Sequence, residues 1–346
     1  MELEIPLPDD WHLHLRDGAA MRAVLPYSAA QFGRAIVMPN LDPPVTTAAR
    51  AGQYRDRIRG ALPAGATLEP LMTLYLTERT RPADIEAARQ AGVTAVKLYP
   101  AGATTHSDSG VASLHRLDPV LDAMQAAGLP LLVHGEVTDP DVDVFDREAV
   151  FIERHLSRIV ERFPRLRVVL EHVTSREGVE FVKGAREGVA ATITAHHLMI
   201  NRNHLLAGGI RPHLYCAPIA KAEAHRAALV EAATSDSPRF FLGTDSAPHP
   251  RSAKESACGC AGVFTAHAAM PLYAQVFEQA GALDRLKGFA SRHGPGFYGL
   301  PVNGARLKLV REPWRVPEWL PYGDGELVPF MAGSDLNWRV AVADES

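Results

Sequence analysis

The chain has 346 residues, 47% of them hydrophobic and 22% charged, with a formal net charge of -4. That is globular composition, and its mild negative balance argues against a nucleic-acid or anionic-membrane partner. No apolar run approaches the ~18 residues that a membrane span needs. The acidic start MELEIPLPDD lacks a basic stretch leading into an apolar one, so no signal peptide is expected. Three cysteines (Cys216, Cys258 and Cys260) cannot all pair, and a reducing cytoplasm is the simplest home for them.

The first element is the run DDWHLHLRDG at 9–18. In a strand, residues two apart share a face, so His12 and His14 project together while Trp11, Leu13 and Leu15 project to the other side. Arg16 continues the histidine face, and Asp17 reads as structural. RAIVMPN (34–40) reads as a buried strand, followed by Thr46, Thr47 and a helix running to Gly60. LEPLMTLYL (68–76) is a strand; the next helix has Pro82 in its first turn and Gly92 at its end. VTAVKLYP is a strand halted by Pro100. The helix at 117–128 has Asp118 as cap, Pro119 in its first turn and Gly128 at its end. LPLLVHGE is an apolar strand, and 146–163 reads as one long helix stopped by Pro164. LRVVLEHV, a helix from Ser175, VAATITAHH and RFFLGTDSAPH complete the series.

These make eight strands ending near 14, 38, 74, 97, 134, 172, 195 and 245, spaced by about 33 residues, close to one βαβ unit. Near-continuous apolar strands suit a parallel sheet covered on both faces, and eight such units predict a (β/α)8 TIM barrel. The absence of GxGxxG after the first strand counts against a dinucleotide-binding sheet. Residues 1–346 read as a single domain. Its 300–346 part, rich in Pro, Gly and Trp with short strand-like pieces, reads as a C-terminal extension across the barrel bottom or side.

Barrel chemistry sits at the C-terminal ends of the strands. Here those ends carry His12, His14, Lys97, His134, His172 and Asp245. Each has an ordinary alternative: Lys97 as a phosphate-binding or Schiff-base lysine, His134 and His172 as core histidines, Asp245 as a helix cap. Four histidines and an aspartate exceed one closed tetrahedral site and suit two metal ions about 3.5–4 Å apart. Such ions need an anionic bridge. Lys97, neutral in a desolvated cation-rich site and carbamylated by carbon dioxide (N6-carboxylysine), would provide one. SACGC reads as a tight glycine-rich loop at the mouth and Cys216 as a free thiol. His196, His197, His204 and His213 fall in a long loop after the seventh strand, in supporting roles.

The spacing of HxH, Lys, His, His and Asp over those strand ends resembles the amidohydrolase superfamily. The longer strings WHLHLRDG, MPNLDPP, KLYPAGATT, LVHGE, EH, NRNHLLAGGIRPHLYCAPI, GTDSAPH, KESACGCAG and GPGFYGLP resemble the dihydroorotases of compact, single-chain bacterial type, over about residues 5–335. The resemblance implies that His12 and His14 bind one zinc ion and His134 and His172 another. Carbamylated Lys97 would bridge the two, and Asp245 would both ligate and act as general acid/base on a bridging hydroxide. It implies substrate contacts from His14, Arg16, Asn40, His134 and His249 and from the main chain at Ala217 and Ala261. Thr104 and Thr105 would lie on a mobile loop that closes over substrate. Ala217 departs from the leucine of those relatives, at a contact made by the main chain. The implied activity interconverts dihydroorotate and N-carbamoyl-L-aspartate in pyrimidine synthesis, in a homodimer. Three rivals remain at this point: a hydantoinase-type enzyme acting on a neutral ring, an aldolase using Lys97, and a non-catalytic metal-binding scaffold.

Overall fold

The computed structural model describes residues 1–341. Strand β1 (Glu2–Pro6) precedes eight parallel strands: β2 (Asp9–Leu13), β3 (Arg34–Val37), β4 (Glu69–Leu76), β5 (Ala95–Leu98), β6 (Leu131–Val133), β7 (Val168–Leu170), β8 (Val189–Ile193) and β9 (Phe240–Leu242). They pair in chain order. The parallel bridge between Leu13 and Ser246 joins last to first, as does the Asp245 N–H donated to the His12 carbonyl at 2.9 Å. Asp10 reinforces this seam, its carboxylate accepting from the Thr244 N–H at 2.9 Å and the Thr244 hydroxyl at 2.6 Å. The expected barrel is thus present.

Two apolar layers follow from period-2 alternation along the strands. Ala35, Val37, Val96, Leu98, Leu131, Val133, Val168 and Leu170 belong to the large cluster shared with the helices. Ile36, Ala95, Leu132, Val169, Ala190 and Phe241 form a separate interior cluster with Trp11 and Tyr298. Tyr298 ends the helix His293–Tyr298 and stacks on Trp11 at 4.4 Å between ring centroids, with Phe241 edge-on at 6.2 Å. This aromatic stack fills the barrel interior beneath the polar mouth.

The first strand breaks the alternation read from sequence. Asp10 pairs with Ala35 and Leu13 with Val37, so β2 carries one residue more than β3 across this interval. This β-bulge lets consecutive residues Trp11 and His12 both point inward, rather than to opposite faces. Bulges are not visible in an apolar/polar pattern, because they depend on the partner strand.

Other differences are local. Asp118 is the first residue of its helix (Asp118–Ala127) rather than its cap, which is Leu117; its carboxylate meets Arg162 at 2.7 Å. Gly128 ends that helix with φ 68°, as expected. The helix expected over 146–163 contains a wider turn at Ile152–Leu156, where the Ser157 hydroxyl donates to the Ile152 carbonyl at 2.8 Å and holds the ladder open. β1 escaped the sequence reading because its partner is remote: it pairs antiparallel with β10 (Arg306–Val310). From there the tail climbs the barrel side to the mouth, where the Phe330 N–H donates to the Phe264 carbonyl at 2.9 Å and Glu326 meets Arg251 at 2.8 Å. Residues 342–346 of the expected extension lie outside the described residues.

Gly294 lets its helix approach the stack, since a Cβ there would overlap the Trp11 indole. Gly294→Ala should destabilise the fold by about 1–3 kcal/mol through overpacking. A denaturant midpoint equal to that of the wild type would show that the interior yields there.

Candidate active site and metal centre

The polar floor stands one repeat above the interior apolar layer. Lys97, His134, Glu171, Thr192 and Gly243 follow Ala95, Leu132, Val169, Ala190 and Phe241 by two residues each and inherit their inward direction. His172 does not, because it follows Glu171 directly. It reaches the floor through a left-handed backbone (φ 41°), and Asp245 (φ 45°) and Arg16 (φ 62°) are likewise left-handed. Non-glycine residues seldom adopt this region, and strain of this kind concentrates at functional sites. Arg16 therefore reaches the mouth after β2 has ended, by a turn rather than by continued strand alternation.

Glu171, wholly buried, accepts from His12 Nδ1 at 2.6 Å and from the Thr192 hydroxyl at 2.7 Å. In the neutral ring, donation of the Nδ1 proton leaves His12 Nε2 with a lone pair. That atom lies 3.2 Å from His14 Nε2, and Asp245 Oδ1 lies 3.3 Å from the first and 3.1 Å from the second. Two ring nitrogens and a carboxylate oxygen so close together form a donor set for one cation, and the carboxylate behind His12 is the usual support of a ligating imidazole. The rings of His172 and His134 continue the cluster, His12 to His172 at 5.0 Å and His172 to His134 at 4.9 Å between centroids. His134 Nε2 is held by Glu136 at 2.7 Å, which leaves Nδ1 as its available nitrogen.

Burial pushes His14 down to about 4 and holds His172 well below the usual histidine range, so both rings are neutral and able to ligate. Burial alone would raise Asp245; its contacts with His12 and His14 instead hold it well below the usual carboxylate range. Lys97 is pushed down to about 8 by burial, against the pull of Glu171 and Asp245, and its Nζ has no hydrogen-bond partner among the described residues. A buried amine without a partner beside neutral imidazoles fits a lysine that becomes an anion and shares in cation binding. The donor set thus fits a divalent metal centre.

Above the floor, His12, His14, Arg16, Asn40, Thr104, Thr105, His134, His172, Ala217, Asp245 and Ala261 line one pocket. Lys97 lies beneath it, and His249 stands behind Arg16. Arg16 donates to the Pro248 carbonyl at 3.1 Å and approaches His249 Nε2 at 2.9 Å. That nitrogen also lies 3.0 Å from the Ala261 carbonyl, which accepts the Thr105 hydroxyl at 3.3 Å as well. Asn40 donates to the Thr105 carbonyl at 3.2 Å. The 101–110 loop is thus shut onto the far rim, leaving about 20 Å³ of space, room for roughly one water. In this arrangement the pocket has no room for a ring-sized ligand.

The residues expected as metal ligands, acid/base and substrate contacts meet at or directly beneath this mouth; Asp17, Cys216 and the surplus histidines do not line it. The segment holding those histidines is broken into short helices, not one loop: His196 and His197 lie in Ala195–Met199 and His204 in Arg202–Leu206, while His213 pairs with Glu255 at 3.0 Å. Asp17 caps the helix Gly18–Ala29. Sequence reasoning missed Glu171, Glu136 and Thr192. Counting by two along β7 from Val169 would have found Glu171.

The Amidohydrolase family matches residues 9–306. The chain belongs to the amidohydrolase family. A dihydroorotase of Azoarcus sp. (strain BH72) is 62% identical over 336 residues, 96% of this chain and 98% of that protein. Among solved structures, a dihydroorotase of Campylobacter jejuni superposes with TM-score 0.91 at 36% identity, covering 99% of this chain and 98% of its own. That of Saccharomyces cerevisiae, in complex with 5-fluoroorotic acid, gives TM-score 0.91 at 36% identity, covering 98% of each chain. Within the amidohydrolases the chain falls among the dihydroorotases.

Glu171→Gln retains the size of the group but offers His12 no charge. It should weaken metal retention by about 10–100-fold in a chelator titration; unchanged retention would remove Glu171 from the support of the centre.

Proposed function

We propose that this chain interconverts (S)-dihydroorotate and N-carbamoyl-L-aspartate, opening and closing a cyclic amide in the synthesis of pyrimidines. The observation that carries this reading is a cation-binding floor of His12, His14 and Asp245 beneath a rim carrying the Arg16 guanidinium. A neutral ring gives such a guanidinium no counter-charge, whereas the substrate carboxylate matches its planar fork. The high identity to dihydroorotases over nearly the whole chain supports the same conclusion.

His12, His14 and Asp245 would hold one zinc ion and His134 and His172 a second, with Lys97, as a carbamate, between them. The pair would supply an activated water and polarise the ring carbonyl. Asp245, ionised at neutral pH, accepts the proton of the attacking water and delivers it to the departing ring nitrogen; cyclisation runs the same transfers backwards. Arg16, Asn40 and His249 hold the substrate carboxylate and ring edge, with main-chain contacts at Ala217 and Ala261. Thr104 and Thr105 close over the bound ring and exclude bulk water. The reading extends to a homodimer in a reducing cytoplasm; the three free thiols support that compartment.

Native mass spectrometry should show the folded chain heavier by one carbon dioxide, released by acid. Lys97→Ala should lose that mass, at least one metal ion and most turnover, with partial rescue by a short carboxylic acid. Full metal content and activity in this variant would rule out the bridge.

Arg16→Met should lower kcat/KM for dihydroorotate by about 30- to 4,000-fold, the equivalent of roughly 2–5 kcal/mol for a desolvated charge pair. Metal content should stay constant. An unaffected rate would remove the carboxylate clamp and, with it, the ground for preferring this substrate over a neutral ring.

A further inference from the structure

Behind the pocket wall at Ala217 lies a second group of nitrogen and sulfur donors that the reaction does not use. His196, His197 and Cys216 are 0%, 2% and 1% exposed. Among the described residues, this trio and the set at His12, His14 and Asp245 are the two places where three such side chains bring donor atoms within 4.8 Å of one another. His197 Nε2 lies 3.4 Å from Cys216 Sγ and 2.9 Å from the Pro218 carbonyl oxygen, which is itself 3.3 Å from Sγ. A tetrahedral ion with bonds of about 2.1 Å to nitrogen and 2.3 Å to sulfur spaces its donors by roughly 3.3–3.7 Å, so these three need to move by only a few tenths of an ångström.

The remaining features agree with a cation at their centre. Metal binding would place the His197 ring proton on Nδ1, 2.8 Å from the Thr194 hydroxyl, instead of on Nε2, where it is donated to the Pro218 carbonyl. A hydrogen bond at Nδ1 is the outer-shell contact that commonly orients a ligating imidazole. His196, its ring 4.4 Å from that of His197, is fully buried with neither nitrogen partnered among the described residues. An imidazole in that state costs stability unless something accepts its lone pair. A metal ion would do so, and the His196 nitrogen would occupy its fourth corner.

We propose that His196, His197 and Cys216, with the Pro218 carbonyl, bind a zinc-class divalent cation separate from the centre at the barrel mouth. Binding replaces the thiol proton, which is released to solvent, while both imidazoles donate as neutral rings. The ion ties the helix Ala195–Met199 to the Ala217–Pro218 segment and so braces the wall where Ala217 meets the pocket. This proposal does not depend on which ring the enzyme acts upon.

The test is to produce the full chain carrying Cys258→Ser and Cys260→Ser in cobalt-supplemented medium, leaving Cys216 as its sole thiol. This protein should show sulfur-to-cobalt charge-transfer absorption, which nitrogen and oxygen ligands at the mouth do not generate. Adding Cys216→Ser should abolish the band and remove one cobalt per chain. His196→Gln, with circular dichroism unchanged, should weaken cobalt retention at this site by at least about tenfold. No charge-transfer band in the folded parent would overturn the proposal even if Cys216→Ser failed to fold. So would an equal cobalt count with and without Cys216.

Discussion

The wholly buried carboxylate of Glu171 and the hydrogen bond it accepts from His12 organise the mouth of this barrel. Burying a carboxylate is costly unless hydrogen-bond donors reach it; here His12 Nδ1 and the Thr192 hydroxyl both serve Oε2, while Oε1 has no hydrogen-bond partner among the described residues. The contact determines which His12 nitrogen carries the proton, and hence which one faces His14 and Asp245. It also explains why Gly243 occupies the inward position just after β9. A Cβ there would stand 2.8 Å from Thr192 Cβ and 3.1 Å from His12 Cβ, displacing the pair that serves Glu171.

Holding His12 there required an irregular backbone. The bulge in β2 supplies it, and the left-handed residues Arg16, His172 and Asp245 bring three further side chains to positions that strand alternation does not reach. Such conformations cost of order 1–3 kcal/mol each, so the surroundings must over-determine them. Two buried carboxylates do so. Asp10 clamps Thr244 beside Asp245 across the barrel seam. Glu148 accepts the N–H and hydroxyl groups of both Thr174 and Ser175, fixing the chain just after His172. Burial pushes Asp10 up to about 7, a sign of how little water reaches the seam.

The rim obeys a different rule. Its residues come from loops, and their contacts are largely hydrogen bonds to main-chain carbonyls: Arg16 to Pro248, Asn40 to Thr105, Thr105 to Ala261. These bonds can be exchanged for bonds to a ligand without disturbing the barrel. A rigid floor thus sits under a replaceable cover, the division of labour expected when loops carry recognition and strands carry chemistry.

By itself the sequence determined the barrel, the ends of its eight strands to within about three residues, and the gathering of His12, His14, Lys97, His134, His172 and Asp245 at those ends. Apolar periodicity is a local property, and unusual residues at the end of each apolar run stand out against it. The same locality explains what was not legible. The inward turn of Trp11 depends on the register of β2 against β3, and β1 depends on a partner some 300 residues away. The role of Glu171 depends on a histidine 159 residues earlier in the chain. Bulges, left-handed turns and shared protons arise between strands distant in sequence, so only the closed barrel decides them.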